Sequence, residues 1–499
     1  MNPDLQAACR CASATLMRIA GCALLALAAA LAGCTLAPKY QRPPPPVSEA
    51  WPSGPGYTNA STANTRAALP AAELGWREFF GDPRLLELIE LSLTNNRDLR
   101  VAALNVETAR AQYRIVRSAL LPTVTGNAGG IRQRIPGSLL GPGVPAYAFT
   151  EYAVNGGVTS YELDLFGRVR SLKAQALNQF LATGQARLAA HIALVAEVAV
   201  QYFFQRELEE ELAVAQQTLK AVQASHDLNQ LSFDNGVASE LDLRSAEAQV
   251  QTARANVAAL AQDLAQAENA LVLLVGRPLP AHLPPPLALS TQRLIADVPA
   301  GLPAELLHRR PDILAAEFKL RAANANIGAA RAAFFPKILL TGAAGKASLR
   351  LEELFAGASD AWSFGPQITV PIFDAGNNKA ALDAARVQKR IEVANYEKAI
   401  QTAFREVADA LAVRTLIETR IQAQEGLVKA QEERYHLADL RYRNGVDSYL
   451  TVLVAQQDLY NAQQALIQSR ASRLTNLVTL YKTLGGGWLE HTAPLEAAK

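Results

Sequence analysis

Tyr442-Arg443-Asn444-Gly445-Val446-Asp447 closes a run that opens at Asn377 and contains no proline and one interior glycine, Gly426. The residues between are mostly Ala, Gln, Glu, Arg, Leu and Val, strong helix formers apart from Val. The run predicts one continuous helix of roughly 65 residues, a rod on the order of 100 Å and several times the length usual in globular proteins. Gly445 supplies the positive φ a reversal needs, and Asp447 is placed to cap the returning helix. The chain is therefore expected to double back antiparallel.

The same unit occurs earlier. Leu231-Ser232-Phe233-Asp234-Asn235-Gly236-Val237 matches Leu440-Arg441-Tyr442-Arg443-Asn444-Gly445-Val446, and at the same offset Leu163-Asp164-Leu165-Phe166-Gly167 matches Ile372-Phe373-Asp374-Ala375-Gly376. Arg97-Asp98-Leu99 matches Pro311-Asp312-Ile313 and Leu120-Leu121-Pro122 matches Phe334-Phe335-Pro336 at a slightly larger offset, which a longer loop in the first copy absorbs. Two unrelated Ala-rich coiled coils would not keep prolines, glycines and turns in the same order, so the chain reads as an internal duplication.

Between Pro122 and Gly167, and again between Pro336 and Gly376, the composition turns to Gly, Thr, Val, Ile, Ser and aromatics. Val124, Gly126 and Ala128 alternate with Thr123, Thr125 and Asn127, and Val154, Gly156 and Val158 alternate with Asn155, Gly157 and Thr159. This pattern predicts two hairpins, one turning at Gly141-Pro142-Gly143-Val144-Pro145 and one near Leu354-Phe355-Ala356-Gly357. A soluble four-stranded sheet fits the same alternation. However, four strands cannot close a membrane barrel, and an open edge in hydrocarbon leaves backbone groups unsatisfied. Three chains of four strands would make twelve, an even count known for such barrels. The long helices, apolar on more than one face (Ile391, Ala394, Ile400, Ala403, Phe404, Val407, Leu411), likewise suit a ring in which each touches two neighbours.

Net charge is +2, with 19% charged and 50% apolar residues, so nothing supports nucleic-acid binding or disorder. Six scattered histidines and four cysteines leave little for a metal site. From Met17 the sequence runs through Arg18 and the apolar stretch Ile19 to Ala32 into Gly33-Cys34. This is a secretory signal too short to span a bilayer. Met17 opens that signal unaided, which makes it an alternative start to Met1. Cys9, Cys11 and Cys22 belong to the discarded leader, so no intrachain disulfide is expected. Leu31-Ala32-Gly33-Cys34 resembles the bacterial lipobox, which implies cleavage before Cys34 and lipidation of its thiol and amine; Thr35 in the next position favours export to the outer membrane. From Pro38 to about Gly75 the chain reads as a linker marked by Pro43-Pro44-Pro45-Pro46, Trp51-Pro52 and Gly54-Pro55-Gly56, and an extended tether able to reach on the order of 100 Å is expected.

Gly75-Trp76-Arg77-Glu78-Phe79-Phe80-Gly81-Asp82-Pro83-Arg84 and Asn95-Asn96-Arg97-Asp98-Leu99, with Phe404-Arg405-Glu406-Val407-Ala408-Asp409-Ala410-Leu411 and Tyr442-Arg443-Asn444-Gly445-Val446, resemble the outer-membrane factors of efflux systems. These are TolC-like channels, here in the lipoprotein branch typified by OprM. Without the resemblance, Trp76, Phe79 and Phe80 read as core anchors. The expected fold is α plus transmembrane β: an internally duplicated chain forming a long α-helical barrel and a β-barrel, completed as a trimer with four strands per chain. The layout is a signal peptide 1–33, a lipidated N-terminus and Pro-rich linker 34–75, a first repeat 76–275, an equatorial insert 276–305, a second repeat 306–484 and a tail 485–499.

The resemblance implies a homotrimer in the outer membrane, lipid-anchored and extending into the periplasm. Its partners would be a periplasmic adaptor and an inner-membrane pump of the resistance-nodulation-division type. The reading is a passive exit duct; a structural or adhesive periplasmic coiled-coil lipoprotein without a pore remains the alternative. No Ser-His-Asp or Cys-His constellation stands out, so an enzyme is not expected, and the sole added group is the lipid on Cys34. Gly342-Ala343-Ala344-Gly345-Lys346 has the wrong spacing for a phosphate loop. The run Glu207, Glu209, Glu210, Glu211 reads as a solvated face.

The turns at Asn235-Gly236 and Asn444-Gly445 would stand at the periplasmic mouth. In related channels the second-repeat turn is followed by a Leu and then often by an Asp and an Arg that close the mouth through ion pairs. The matching positions are Leu450, Val454 and Gln457, so both charges are missing. The expectation is an apolar gate with Leu450 as plug, Val454 beside it, and Asp447 and Asp242 attracting cations. Seam packing would equally suit the i, i+4 spacing of Leu450 and Val454.

Overall fold

The computed structural model describes residues 35–57, 69–143, 145–295, 299 and 303–492. Its main elements are α1 Pro83–Asn95, α2 Arg97–Ser118, β1 Val124–Ile135, β2 Tyr147–Leu163, α3 Arg168–Asp234, α4 Glu240–Val275, α5 Pro311–Ala332, β3 Lys337–Ser348, β4 Asp360–Thr369, α6 Asn377–Arg443 and α7 Tyr449–Thr483. The duplication is metrical: α2 and α5 each have 22 residues, and α3 and α6 each have 67. Each long helix is started the same way. The Asp164 carboxylate accepts from the amides of Val169 and Arg170, and Asp374 accepts from those of Gly376 and Asn378. These two aspartates do equivalent work one place apart in the repeat alignment, with Gly167 at φ 72° and Gly376 at φ 85° beside them.

The chain divides into two compact units. One comprises the N-terminal residues to Pro44 with Glu107–Thr183 and Ala316–Tyr396; the other comprises Pro45–Val106, Gly184–Ala315 and Glu397 to the C-terminus. The first unit holds the antiparallel sheet, in the order β1-β2-β3-β4. Its registers place Ala128 opposite Val154, Gly156 opposite Ala344, Ala344 opposite Trp362, Gly342 opposite Phe364 and Ile338 opposite Ile368. One face therefore carries an apolar band across all four strands, bordered toward the hairpin turns by the Lys346–Asp360 pair and by Arg132 and Arg134. The other carries Asn127 opposite Asn155, then Thr341, Ser363 and Gln367. Trp362, Phe364 and Ile368 are 80%, 66% and 65% exposed, so among the described residues nothing covers the β4 part of that band. β1 and β4 each leave one edge without a partner strand among the described residues. The hairpin turns lie where the composition placed them, and Gly342 to Lys346 lies inside β3.

The N-terminal segment departs from the expected free tether. From Thr35 to Arg42 it is seated along α5. Arg331 donates to the Leu36 carbonyl (3.0 Å), Asn324 donates to that of Pro38 (2.8 Å), and Tyr40 and Arg42 both bond Glu317. The chain passes so close to α5 that a Cβ at Gly328 would lie 2.8 Å from the Ala37 Cα. An extended backbone has every carbonyl available, and α5 presents donors two turns apart to take them.

In the second unit the N-terminal residues, the 276–295 segment and the C-terminus are knitted together. Trp76, Phe79 and Phe80 are buried, with Phe79 stacked on Tyr481 at 4.0 Å. Asp82, 1% exposed, caps α1 through the Arg84 amide and also accepts from the Tyr202 hydroxyl and the Gln292 amide, both at 2.6 Å. Phe80 pairs with Leu294 in an isolated bridge, and the Trp76 amide donates to the Leu489 carbonyl. The Phe404-to-Leu411 motif has two visible duties here: Trp51 stacks on Phe404 at 5.0 Å, and the buried Arg310 joins Glu406 (2.8 Å) to Asp312 (2.6 Å).

The acidic run on α3 is not a solvated face. Glu211 is buried and accepts from Gln468, Glu210 accepts from the Leu289 amide, and Glu209 pairs with Arg206. Burial, reinforced by Glu211, pushes the Glu207 carboxyl up to about 7. A count of charges along the sequence misses that distant segments cover this stretch.

Candidate functional site

Two helix tips are built on one backbone plan. At the first, the Gly236 amide donates to Phe233 and the Val237 amide to Ser232; at the second, Gly445 donates to Tyr442 and Val446 to Arg441. Gly236 and Gly445 have φ 73° and 69°, the left-handed conformation that ends a helix with its last carbonyls satisfied. Asn235 and Asn444 each return a side-chain hydrogen bond to the carbonyl four residues back, at 2.6 and 2.7 Å.

Beyond the turns the tips diverge. Ser239 and Asp242 form a reciprocal capping box at the start of α4. At α7 the N-cap is Ser448, with no side-chain cap bond, and Asp447 does not cap at all. Its carboxylate instead takes both arms of Arg441, at 2.6 and 3.0 Å, and this hydrogen bonding holds its acid well below the usual aspartate range. A guanidinium six residues upstream outcompetes the backbone amides, because the bidentate charged pair is the stronger bond. Asp447 thus carries its own counterion, and Asp242 is engaged by Ser239.

Leu450 and Val454 are 65% and 44% exposed, whereas Tyr449, Val452 and Ala455 on the same helix are 2%, 1% and 0% exposed. The intrachain seam therefore runs through 449, 452 and 455, and Leu450 and Val454 stand off it. Gln457, at the second position where related channels carry a charge, bonds Asn461.

One contact just inside the tips leaves no trace in the sequence. Tyr442 on α6 donates to Asn229 Oδ1 on α3 at 2.6 Å, and Asn229 is wholly buried. The pair lines a cavity of about 210 Å³ together with Tyr435, Asp439, Arg443 and Tyr449. Burial raises the Tyr442 hydroxyl, and burial with neighbouring tyrosines pushes Tyr449 up to about 12, so these hydroxyls stay protonated donors at any physiological pH. An asparagine–tyrosine pairing of this kind has no local sequence signature, since the partners lie far apart in the chain.

Cys34 lies outside the described residues. Thr35 does not, and its hydroxyl is 3.3 Å from Ser171 near the start of α3. The contacts of Arg42, Pro38 and Leu36 fall successively on residues 317, 324 and 331 of α5, so the segment climbs toward the end of α5 that leads into β3. Leu36, and Thr35 beside Ser171, therefore lie at the sheet end of that helix.

A family profile described as outer membrane efflux protein matches residues 88–277 and 302–486. The toluene efflux pump outer membrane protein TtgC of Pseudomonas putida is 51% identical over 462 residues, covering 93% of this chain and 94% of that protein. The antibiotic efflux pump outer membrane protein ArpC of the same species is 50% identical over 462 residues, with 93% and 94% covered. Among solved structures, the open state of the Neisseria gonorrhoeae MtrE outer membrane channel superposes with a TM-score of 0.82 at 42% identity, covering 92% of this chain and all of that one.

Proposed function

The chain belongs to the outer membrane efflux protein family, and from that premise we propose that three copies of it close into a passive exit duct across the outer membrane and periplasm. The observation that carries the reading is the sheet. It has an exposed apolar band on one face, a more polar opposite face and, among the described residues, two unpartnered edges, which in hydrocarbon cost several kcal/mol per unsatisfied backbone group. Three sheets joined edge to edge remove every edge, turn the apolar face to lipid and leave Asn127, Asn155 and Gln367 facing an aqueous lumen. The long helices continue the wall into the periplasm. There the duct meets a periplasmic adaptor and an inner-membrane pump of the resistance-nodulation-division type, which supplies the energy; the chain itself is not an enzyme.

A lipid on Cys34 anchors the N-terminus. The climb of residues 35–42 toward the sheet end of α5 supports this, since the acyl chains would enter the bilayer there, and several chains make attachment effectively permanent. No other cofactor is required. Relatives named for toluene and antibiotic efflux support small organic molecules as cargo, with selection made by the pump. At the far end, Leu450 and Val454, exposed and off the intrachain seam, form the apolar gate around the threefold axis.

The test is reconstitution of the purified protein in planar bilayers with native mass spectrometry of the same preparation. A homotrimer with discrete conductance is expected, and its mature N-terminus should be acylated Cys34. A stable monomer without conductance would return the molecule to the class of non-porous coiled-coil lipoproteins.

A further inference from the structure

Beside the seated N-terminal segment lies a cavity of about 530 Å³ that the duct reading does not use. Pro38, Arg331, Asp383, Arg386, Lys389 and Arg390 line it. Four cations thus face a single carboxylate. Asp383 is already paired with Arg386 at 3.2 Å, and Arg331 gives one arm to the Leu36 carbonyl. Lys389, half buried, and Arg390, exposed, have no ion-pair partner among the described residues, and the nearest acid on their own helix, Glu392, is held by Gln388 and Asn395. Clustering like charges is unfavourable unless something compensates, so the arrangement calls for an anion.

Its place in the fold says which anion. Arg331 is in the last turn of α5, just before β3, and Asp383 to Arg390 occupy the second to fourth turns of α6, just after β4. At about 1.5 Å per residue, Asp383 to Arg390 lie on the order of 10 to 20 Å along α6 from its first residue, on the side of the sheet where long basic side chains can reach up toward a headgroup layer. Pro38 forms one wall, and the segment that carries it climbs toward the same rim. A lipidated terminus cannot leave through an aqueous lumen, so this face is the outer one.

We propose that this cavity binds the phosphate of an anionic lipid headgroup, one per protomer, with Lys389, Arg390 and the free arm of Arg331 as its ligands. The site rests on the membrane location of the duct. Basic pockets between helices at a membrane surface recognise such headgroups, and each basic group there strengthens binding about fivefold. The bound lipid would rivet the N-terminal segment to α5 and α6 at the rim.

The full-length acylated protein is incorporated in nanodiscs of phosphatidylcholine containing a minor share of phosphatidylglycerol, released gently, and its retained lipids are weighed by native mass spectrometry. Wild type should retain phosphatidylglycerol in strong preference, at up to one per chain. Lys389→Gln with Arg390→Gln should lower that retention on the order of tenfold or more, while the exchange Lys389→Arg with Arg390→Lys should keep it. Equal retention of the two lipids by wild type overturns the site whether or not any variant folds. If excess inorganic phosphate abolishes the preference and is itself retained, the site takes a free anion and the headgroup assignment is wrong. Conductance recorded on the same preparation separates the two inferences: a conducting trimer without lipid preference sinks this site alone, and a non-conducting monomer sinks the duct.

Discussion

The two helix tips share a turn and differ in the side chains beyond it. Both have Asn-Gly, both put glycine in the left-handed region, and both then expose a leucine, Leu241 at 76% and Leu450 at 65%. The first tip uses its polar side chains locally: Ser239 and Asp242 satisfy one another and the end of α4. The second leaves its N-cap side chain unused and sends Asp447 to Arg441 and Tyr442 across to Asn229. A duplicated backbone has therefore been given one end fixed by a capping box and one end fixed by a charged pair across its own turn and by a tyrosine that bonds the helix of the other tip. A contact to another helix can be broken by moving that helix, whereas a capping box travels with its own. If one tip gates the proposed duct, this difference makes it the second.

Replacing the exposed leucines tests this most severely. If Leu450 closes the mouth, Leu450→Ser removes an apolar side chain three times over by symmetry, each worth about 1.5 to 3 kcal/mol when fully buried. Single-channel recording should show the closed state largely lost. Leu241→Ser should leave it nearly intact. Equal effects from both would mean that the tips contribute alike and that the contrast in their side chains has no bearing on closure.

Next in size is the hydroxyl that ties the second tip to α3. Tyr442→Phe leaves the wholly buried Asn229 carbonyl oxygen without its donor, at a cost of about 1 to 3 kcal/mol per chain. The open fraction should rise by about tenfold or more in the same recordings. Asn229→Asp is a useful companion, because an acceptor is kept while a charge is buried.

These bonds mark the limit of what the sequence discloses. The long helices were legible because nothing in them breaks a helix, and the hairpins because strands alternate and turns carry Gly and Pro. Trp76, Phe79 and Phe80 were legible as core because large apolar side chains rarely have another role. What escaped were choices between competing partners. Asp447 next to a helix start looks like a cap until Arg441 is seen across the turn. The proline-rich segment looks like a tether until Arg331 and Asn324 are found facing its carbonyls from far along the chain. Glu207 to Glu211 look solvated until Leu289 and Gln468 are placed against them.

The capping contrast predicts a smaller, local difference. Ser239→Ala removes the capping box and should destabilise the first tip by about 1 kcal/mol. Ser448→Ala removes a side chain that makes no cap bond and should change stability by less than about 0.5 kcal/mol. Hydrogen exchange of the first-turn amides of α4 and α7 reads both. Comparable loss of protection at the two sites would show that the second tip is capped after all.

The smallest effect belongs to Asp447. Its pair with Arg441 lies at the surface, with the guanidinium half exposed, where screening is strong and isolated ion pairs contribute little. Asp447→Asn should therefore shift open probability only slightly, and raising ionic strength should scarcely move the wild type once bulk conductivity is normalised. The pH dependence has a defined sign. Arg441 lowers the folded acid below the ordinary value of about 3.9, so the pair's contribution is complete above that value and is lost as pH falls through the lowered one. Between neutrality and about pH 5 the second tip should not respond to acid through this residue. A steep rise in opening with salt at neutral pH, abolished by Asp447→Asn, would instead make the ion pair the closure and demote Leu450 to its neighbour.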